Sequence, residues 1–388
     1  MAVALAVTGC ASAVWMASTH RTAATHAALR PAVATAAVGA STTAASAAPA
    51  DPAAPAAPAT AAPAAAAIRS TTTPAPVRAL DIPNGPVPQA GCPPPPSPGG
   101  NGPLPWHPAV LVPDDARPAP APPPAAKVTR LAVLSGKGMW IWQWNKTDGG
   151  SAAAVAARAA GAGLHTLWVR VGDTRSGFYG AGVLAALVPA AHARGIAVVA
   201  WGFPHLYDPT VDAAWSAQVL AWRGPGGEAV DAFSPDLEMP SEGVAVTAKR
   251  LAVYLGAVRG VAGGRPLVAT VYPPTDRWWA SYPYSTVGAY SDATAPMEYW
   301  GCREPGQAAN EGVRRLAAFG PVLPIGQAYD MAPDGGRLGP PSRAETLRFL
   351  DVAHRAGALG VTFWDWQEAG AEQWGALTAY PWSSSGAP

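Results

Sequence analysis

Asp236 and Glu238 are separated by one residue at the end of a short apolar run, Ala232 to Glu238. Two carboxyl groups held that close in a partly apolar setting cannot both ionise freely, and the one that keeps its proton near neutral pH is equipped as a general acid. An acid beside a second carboxylate suits the cleavage of a glycosidic bond. In an extended strand Ser234, Asp236 and Glu238 share one parity, while Phe233, Pro235 and Leu237 share the other. Both acids therefore point to one side, with Cα atoms about 6.6 Å apart from the strand rise. On a surface such a triplet is only solvated charge; its place in a buried strand argues for a working pair.

The elements that must hold this pair follow a repeating pattern. Between Gly138 and Trp366 a short apolar run and an alanine-rich helical stretch alternate eight times. The expected strands are Gly138 to Trp144, Thr166 to Val171, Ile196 to Trp201, Ala232 to Glu238, Leu267 to Tyr272, Ala293 to Tyr299, Val322 to Ala328 and Gly360 to Trp366. Expected helices include Val244 to Val258, Gln307 to Phe319 and Arg343 to Ala356. Strands without alternation, separated by helices, indicate a parallel sheet covered on both faces. Eight units with polar residues at every strand end favour an α/β fold of the (β/α)₈ TIM barrel kind over an open doubly wound sheet. In a barrel the reactive groups sit at the carboxyl ends of the strands, where the acid pair falls.

Composition bounds the rest. The chain has 388 residues, 44 of them Pro and 41 Gly, unevenly spread. Residues 31–127 are Ala, Pro, Thr and Ser with few large apolar side chains, the composition of a disordered, partly polyproline linker. Residues 128–388 match one barrel. Residues 1–30 open on an apolar stretch uncharged until Arg21, too short for a comfortable membrane span and similar to an export signal. Val7-Thr8-Gly9-Cys10 is similar to a lipoprotein lipobox, in which Cys10 would carry the lipid; ordinary cleavage or an uncleaved anchor are the alternatives. Setting Cys10 aside leaves Cys92 and Cys302, an even pair that a single disulfide would join in an exported chain. Extracellular or cell-surface attachment is the expectation, with membrane contact only through an N-terminal anchor.

A net charge of +1 with 13% charged residues leaves no basic face for nucleic acid. The seven His form no HxH or HExxH pattern and no Gly-rich loop opens a helix, so no metal and no cofactor are expected. The sixteen Trp are in excess, and many lie at or just past strand ends. Some fill core, and others offer flat faces on which sugars stack.

Asp231-Ala-Phe-Ser-Pro-Asp-Leu-Glu238 resembles DGxDxDxE, the fourth-strand signature of the glycoside hydrolase family 18 chitinases, at Asp231, Asp236 and Glu238. Pro296-Met-Glu-Tyr-Trp300 resembles that family's MxY at Met297 and Tyr299, and Gly360-Val-Thr-Phe-Trp364 resembles the strand whose Trp floors the sugar subsite. The resemblance implies that Glu238 protonates the glycosidic oxygen while Asp236 and Tyr299 orient the substrate's own 2-acetamido group as nucleophile. Two positions depart from the signature, Ala232 for its Gly and Ser234 for its middle acid. The loss of that acid removes a charge that would tune Asp236. Asp-Leu-Glu is more weakly similar to the family 25 lysozymes, whose first-strand Asp is replaced here by Trp-Gln-Trp. An exported actinobacterial-type barrel family related to both is a further resemblance.

Further strand-end residues complete the expected site. Asp365 could act as base or sugar ligand, and Gln327 and Tyr329 could bond hydroxyls. Arg170 could pair with Asp173 or touch substrate. Glu298, on the parity opposite Tyr299, points toward a helix or the rim and could be a second carboxylate. Trp142, Trp144, Trp201 and Trp364 supply stacking faces. The reading is a glycosidase of a β-linked N-acetylated polysaccharide of peptidoglycan or chitin type. Its rival is a non-catalytic barrel that binds cell-wall glycan; a deacetylase or transferase barrel is weaker, because metal ligands are missing. Oligomeric state is not legible.

Overall fold

The computed structural model describes residues 80–85, 87, 127, 131–334 and 336–382. The expected export segment, Cys10, Cys92 and nearly all of the linker lie outside the described residues.

Nine strands lie among the described residues: β1 (Gly136–Ile141), β2 (Thr166–Asp173), β3 (Gly177–Phe178), β4 (Ala197–Phe203), β5 (Ala232–Leu237), β6 (Val268–Val271), β7 (Ala293–Pro296), β8 (Ile325–Gln327) and β9 (Gly360–Trp364). Eight run parallel in the order β7-β6-β5-β4-β2-β1-β9-β8, and β3 is an antiparallel two-residue addition to the end of β2. Between β7 and β8 the link is two single parallel bridges, Thr294 to Val322 and Met297 to Ile325. The eight-stranded barrel expected from the alternation is present. Pro shortens its weakest side: β7 ends at Pro296, and Pro321 and Pro324 interrupt the approach to β8, since Pro cannot donate to a ladder.

Nine α-helices lie among the described residues: α1 (Ala152–Gly161), α2 (Ala181–His192), α3 (Pro209–Ala221), α4 (Ala248–Val261), α5 (Asp276–Trp279), α6 (Tyr284–Tyr290), α7 (Pro305–Leu316), α8 (Arg343–Arg355) and α9 (Ala371–Ala379). Local chemistry sets their starts. The Ser151 hydroxyl accepts from the Ala154 amide, and Ser342 with Glu345 forms a capping box at α8. Gly357, at φ 87°, closes the turn after α8, a conformation that a side chain would strain.

The core has two layers. The outer layer packs helices against the barrel and includes Leu167, Leu184, Phe233, Leu251, Phe349 and Phe363. The inner layer fills the barrel and contains Trp140, Trp168, Trp201 and Trp364. Trp140 stacks on Trp168 at 4.8 Å between ring centroids, and Trp364 meets Trp201 edge-on at 5.6 Å. Three of the indole N–H groups are satisfied internally: Trp140 donates to Thr362 Oγ1, Trp168 to Thr166 Oγ1, and Trp201 to the Ile141 carbonyl. A Cβ at Gly138 would fall 2.2 Å from Thr166 Oγ1 and 3.0 Å from Trp168 Nε1, so this indole packing requires a glycine on β1. Part of the tryptophan excess is therefore interior filling that floors the barrel mouth.

Candidate active site

Ser234, Asp236 and Glu238 follow the alternation of β5 into the barrel and its mouth. Ser234 is fully buried below the acids, donating to the Val268 carbonyl at 2.7 Å and lying 2.9 Å from Thr270 Oγ1. Asp236 is 8% exposed. Both acids line a cavity of about 320 Å³ with Trp140, Tyr272, Trp278, Tyr299, Tyr329 and Trp364. The loop after β6 forms one wall. Tyr282 donates to the Leu237 carbonyl at 2.7 Å, fixing the end of β5, and Trp278 meets Tyr272 edge-on at 5.2 Å.

The electrostatics fit proton transfer. Burial pushes the Asp236 carboxyl up to about 7; Arg170 pulls it down and Glu242 adds to the rise. Glu238 is held well above the usual carboxylate range, first by burial, then by the charges of Asp236 and Glu242, with a hydrogen bond from the Tyr272 hydroxyl acting the other way. One proton shared over this pair near neutral pH is the expected state. Tyr299 faces Tyr329 edge-on at 5.5 Å, and burial raises its phenol well above the ordinary value.

The expected residues divide into two groups. Asp236, Glu238, Tyr299, Tyr329 and Trp364 converge on the cavity, whereas Asp365, Gln327, Arg170, Trp142, Trp144, Trp201 and Glu298 do not line it. Asp365 is fully buried, accepts from the Glu368 amide at 3.0 Å, and burial pushes it up to about 7; the Trp364–Asp365 peptide is cis. Gln327 accepts from the Gly301 amide and donates to the Tyr329 carbonyl, so its amide joins two loops. Glu298 is fully buried against α7: it pairs with Arg303 at 3.1 Å, and a Cβ on Gly312 would fall 2.5 Å from its Oε1. The sequence left a helix or the rim open for Glu298; it faces α7, away from the acid pair.

Arg170 pairs with Asp173 at 3.3 Å and lies over the Trp201 ring at 5.5 Å, reaching Asp236 through its field. Trp201 is buried, Trp142 is half-buried on Trp364 with ring centroids 6.3 Å apart, and Trp144 starts a one-turn helix beyond β1. Asp231, the first acid of the resemblance, binds His192 Nε2 at 2.8 Å and the Val198 amide at 2.7 Å. It tethers β5 to α2 and β4.

Several residues on the cavity wall were not anticipated, among them Glu242, Tyr272, Arg277, Trp278 and Asp334. They lie in the connections after β5, β6 and β8, with Arg277 and Trp278 in the short helix α5. The available signal was the density of aromatic and charged side chains in segments that follow strands, where barrel sites are built. Among the described residues no cluster of His, Cys, Asp or Glu is arranged to hold a metal ion, and no helix is long and apolar enough to cross a membrane. Cys302 is disulfide-bonded; Cys92 lies outside the described residues.

Fold and site together define a (β/α)₈ barrel with a paired-carboxylate cavity at the carboxyl ends of its strands. The chain is similar to the solved structure of the Bacillus cereus spore cortex-lytic enzyme SleL, at 13% identity over 65% of this chain and 76% of that one, TM-score 0.49. It is similar to the chitinase from Chromobacterium violaceum, at 12% identity over 63% and 98%, TM-score 0.49. The chitinase-like agglutinin from Robinia pseudoacacia is similar at 10% identity over 62% and 98%, TM-score 0.43. No protein-family model and no curated protein matches.

Proposed function

We propose that this chain is a glycoside hydrolase of a β-linked, N-acetylated polysaccharide of the peptidoglycan or chitin type. The observation that carries this reading is the acid pair on one side of the β5 end, inside an aromatic-walled cavity, with both carboxyls pushed toward the protonated state. In this reading Glu238 gives its proton to the glycosidic oxygen as the bond from that oxygen to C1 breaks. The substrate's 2-acetamido oxygen closes on C1, with Asp236 and Tyr299 holding the acetamido group. The Glu238 carboxylate then takes a proton from water, which opens the ring at C1 with retention. Asp236 and Glu238 occupy the positions that the family 18 resemblance assigns to these roles.

Reducing-end release from purified N-acetylated glycan, compared between wild type and Glu238→Gln, tests the proposal. A fall of at least about a hundredfold on removing the acid is expected. A second reading, a barrel that binds glycan without cleaving it, draws on Ser234, whose uncharged side chain is spent on Val268 and Thr270 where the signature has an acid. Binding with no turnover in either protein would select it.

The sequence also motivates export, with surface attachment through residues 1–30 and a Cys92–Cys302 bridge from the linker to the barrel rim. Fractionation of expressing cells and thiol titration of the non-reduced exported protein test these points. Exclusive recovery in the cytoplasm, or free thiols at both Cys92 and Cys302, would reject them.

A further inference from the structure

The register of the sheet gives Glu238 its neighbour. Across β5 and β6 Asp236 pairs with Thr270 and Leu237 with Val271, so the next step beyond the ladder sets Glu238 beside Tyr272. Both lie one residue past their strands, and both line the cavity with Asp236 and Thr270. The surroundings of Tyr272 fix it in place. The Tyr284 hydroxyl donates between the carbonyls of Tyr272 and Pro273, at 3.1 and 3.0 Å, which holds the chain as it leaves β6. The Tyr272 ring stacks on Tyr282 with centroids 6.2 Å apart and meets Trp278 edge-on at 5.2 Å. Tyr282 in turn donates to the Leu237 carbonyl, so one aromatic cluster ties the ends of both strands.

The hydroxyl aimed by this packing donates to Glu238 and accepts from Ser241. Burial, then the charges of Glu238 and Glu242, push the phenol well above its ordinary value against the Ser241 bond, and Asp236 adds to the rise. Tyr272 therefore keeps its own proton and acts on Glu238 as a hydrogen-bond donor. Such a donor favours the ionised carboxylate. Before cleavage Glu238 has to hold a proton, which burial and the charges of Asp236 and Glu242 ensure, with Asp334 raising Glu242 in turn. Once that proton leaves for the glycosidic oxygen, a carboxylate stands in the same apolar recess. A hydrogen bond that strengthens as this charge develops lowers the transition state more than the bound substrate. Neighbouring donors are engaged elsewhere: the Tyr282 and Tyr284 hydroxyls bond backbone carbonyls, and the Arg277 guanidinium lies over the Trp278 ring at 4.5 Å.

We propose that Tyr272 is the positioning residue of the general acid, its hydroxyl holding the Glu238 carboxyl toward the glycosidic oxygen and hydrogen-bonding the carboxylate that remains when the proton departs. The proton passes from Glu238 to the leaving oxygen and is regained from water, while the O–H bond of Tyr272 stays intact throughout. The catalytic consequence rests on the glycosidase reading; the coupling of hydroxyl to carboxyl is measurable without turnover.

The test is Tyr272→Phe in the full chain, which keeps the ring with its Tyr282 and Trp278 contacts and removes the hydroxyl. Without substrate, the Glu238 carboxyl is titrated by difference infrared spectroscopy, its band assigned by its loss in Glu238→Gln. The midpoint is expected to rise by about one pH unit. With an N-acetylated oligosaccharide, the alkaline limb of kcat should move up by a similar amount, opposite in direction to the shift from Asp236→Asn. At pH 6 kcat should fall at least about tenfold while KM stays within about threefold. A fluorotyrosine at this position, a stronger donor of nearly the same shape, should lower the midpoint, and it carries the test if Phe unsettles the fold. A midpoint that stays in place or falls in Tyr272→Phe overturns the proposal, as does a loss confined to KM, which a mere wall for the sugar would give. A raised midpoint in a protein whose wild type cleaves no N-acetylated glycan upholds the coupling of Tyr272 to Glu238 and rejects the glycosidase reading.

Discussion

Replacing Asp236 by Asn should move the alkaline limb of the pH–rate profile to lower pH. The Glu238 carboxyl is raised by burial, then by Asp236, then by Glu242. Removing the second cause leaves a pKa that is lower but still above the ordinary carboxylate value. Two residues of strand rise put the Cα atoms about 6.6 Å apart. At that separation an effective dielectric of about 20 gives roughly 2.5 kcal/mol between full charges, a little under two pH units. Because Asp236 is itself pushed up to about 7, it carries its full charge only above that pH, so the limb should move by about one to two pH units. The direction follows from the role: protonated Glu238 is the acid, activity is lost as pH rises through its pKa, and a lower pKa brings that loss earlier. The assay is kcat/KM for an aryl N-acetylglucosaminide oligomer from pH 4 to pH 10. Its readout is the position of the limb, because Asn also forfeits what Asp236 does for the acetamido group and so lowers the whole curve. An alkaline limb that stays in place, or moves up, would refute the coupling between the two acids.

Three further outcomes are expected. The raised pKa of Asp236, about 7 against 3.8, means the folded protein holds a proton that the unfolded chain releases, so stability is present at low pH and lost as pH rises through about 7. Asp236→Asn should therefore melt higher than wild type at pH 8, by about 1–3 kcal/mol, and match it at pH 3.5; a lower melting temperature at pH 8 would contradict this. Ser234→Ala removes the hydroxyl bonded to the Val268 carbonyl and Thr270, and should cost about 1–3 kcal/mol in denaturant unfolding; an unchanged midpoint would count against that buried contact. Glu298→Gln, in the carboxylate that faces α7 and Arg303, should leave kcat/KM within about threefold; a loss comparable to that of Glu238→Gln would return Glu298 to the reacting centre.

The barrel was legible because each strand is a short apolar run and each helix an alanine-rich stretch. The acid pair was legible because alternation fixes direction, and β5 keeps that alternation through Leu237. Edges were less legible. Val322 contributes one bridge to Thr294 instead of starting a strand, since Pro321 and Pro324 flank the segment. The β3 addition is two residues long, too short to leave a periodic signal. Trp142 and Trp144 read as strand, yet β1 stops at Ile141 and the chain turns into a one-turn helix. Glu242, Trp278 and Asp334 escaped because they sit on short helical turns in the connections after strands, and Tyr272 because β6 stops at Val271, so that strand parity does not fix their direction. Gln327 and Asp365 show the converse. Strand ends placed them near the mouth, but buried backbone groups needed their hydrogen bonds and turned them away from the cavity.

The central claim is that Glu238 delivers a proton to the departing oxygen, and leaving-group dependence tests it most directly. A dinitrophenyl glycoside needs little help from an acid, whereas an alkyl or sugar leaving group needs a full proton. The account predicts that Glu238→Gln releases dinitrophenolate from the dinitrophenyl N-acetylglucosaminide oligomer in the first turnover at a rate near wild type, while losing at least about a hundredfold on the first turnover of the sugar-leaving substrate. Equal losses on both, or no loss on either, would contradict it.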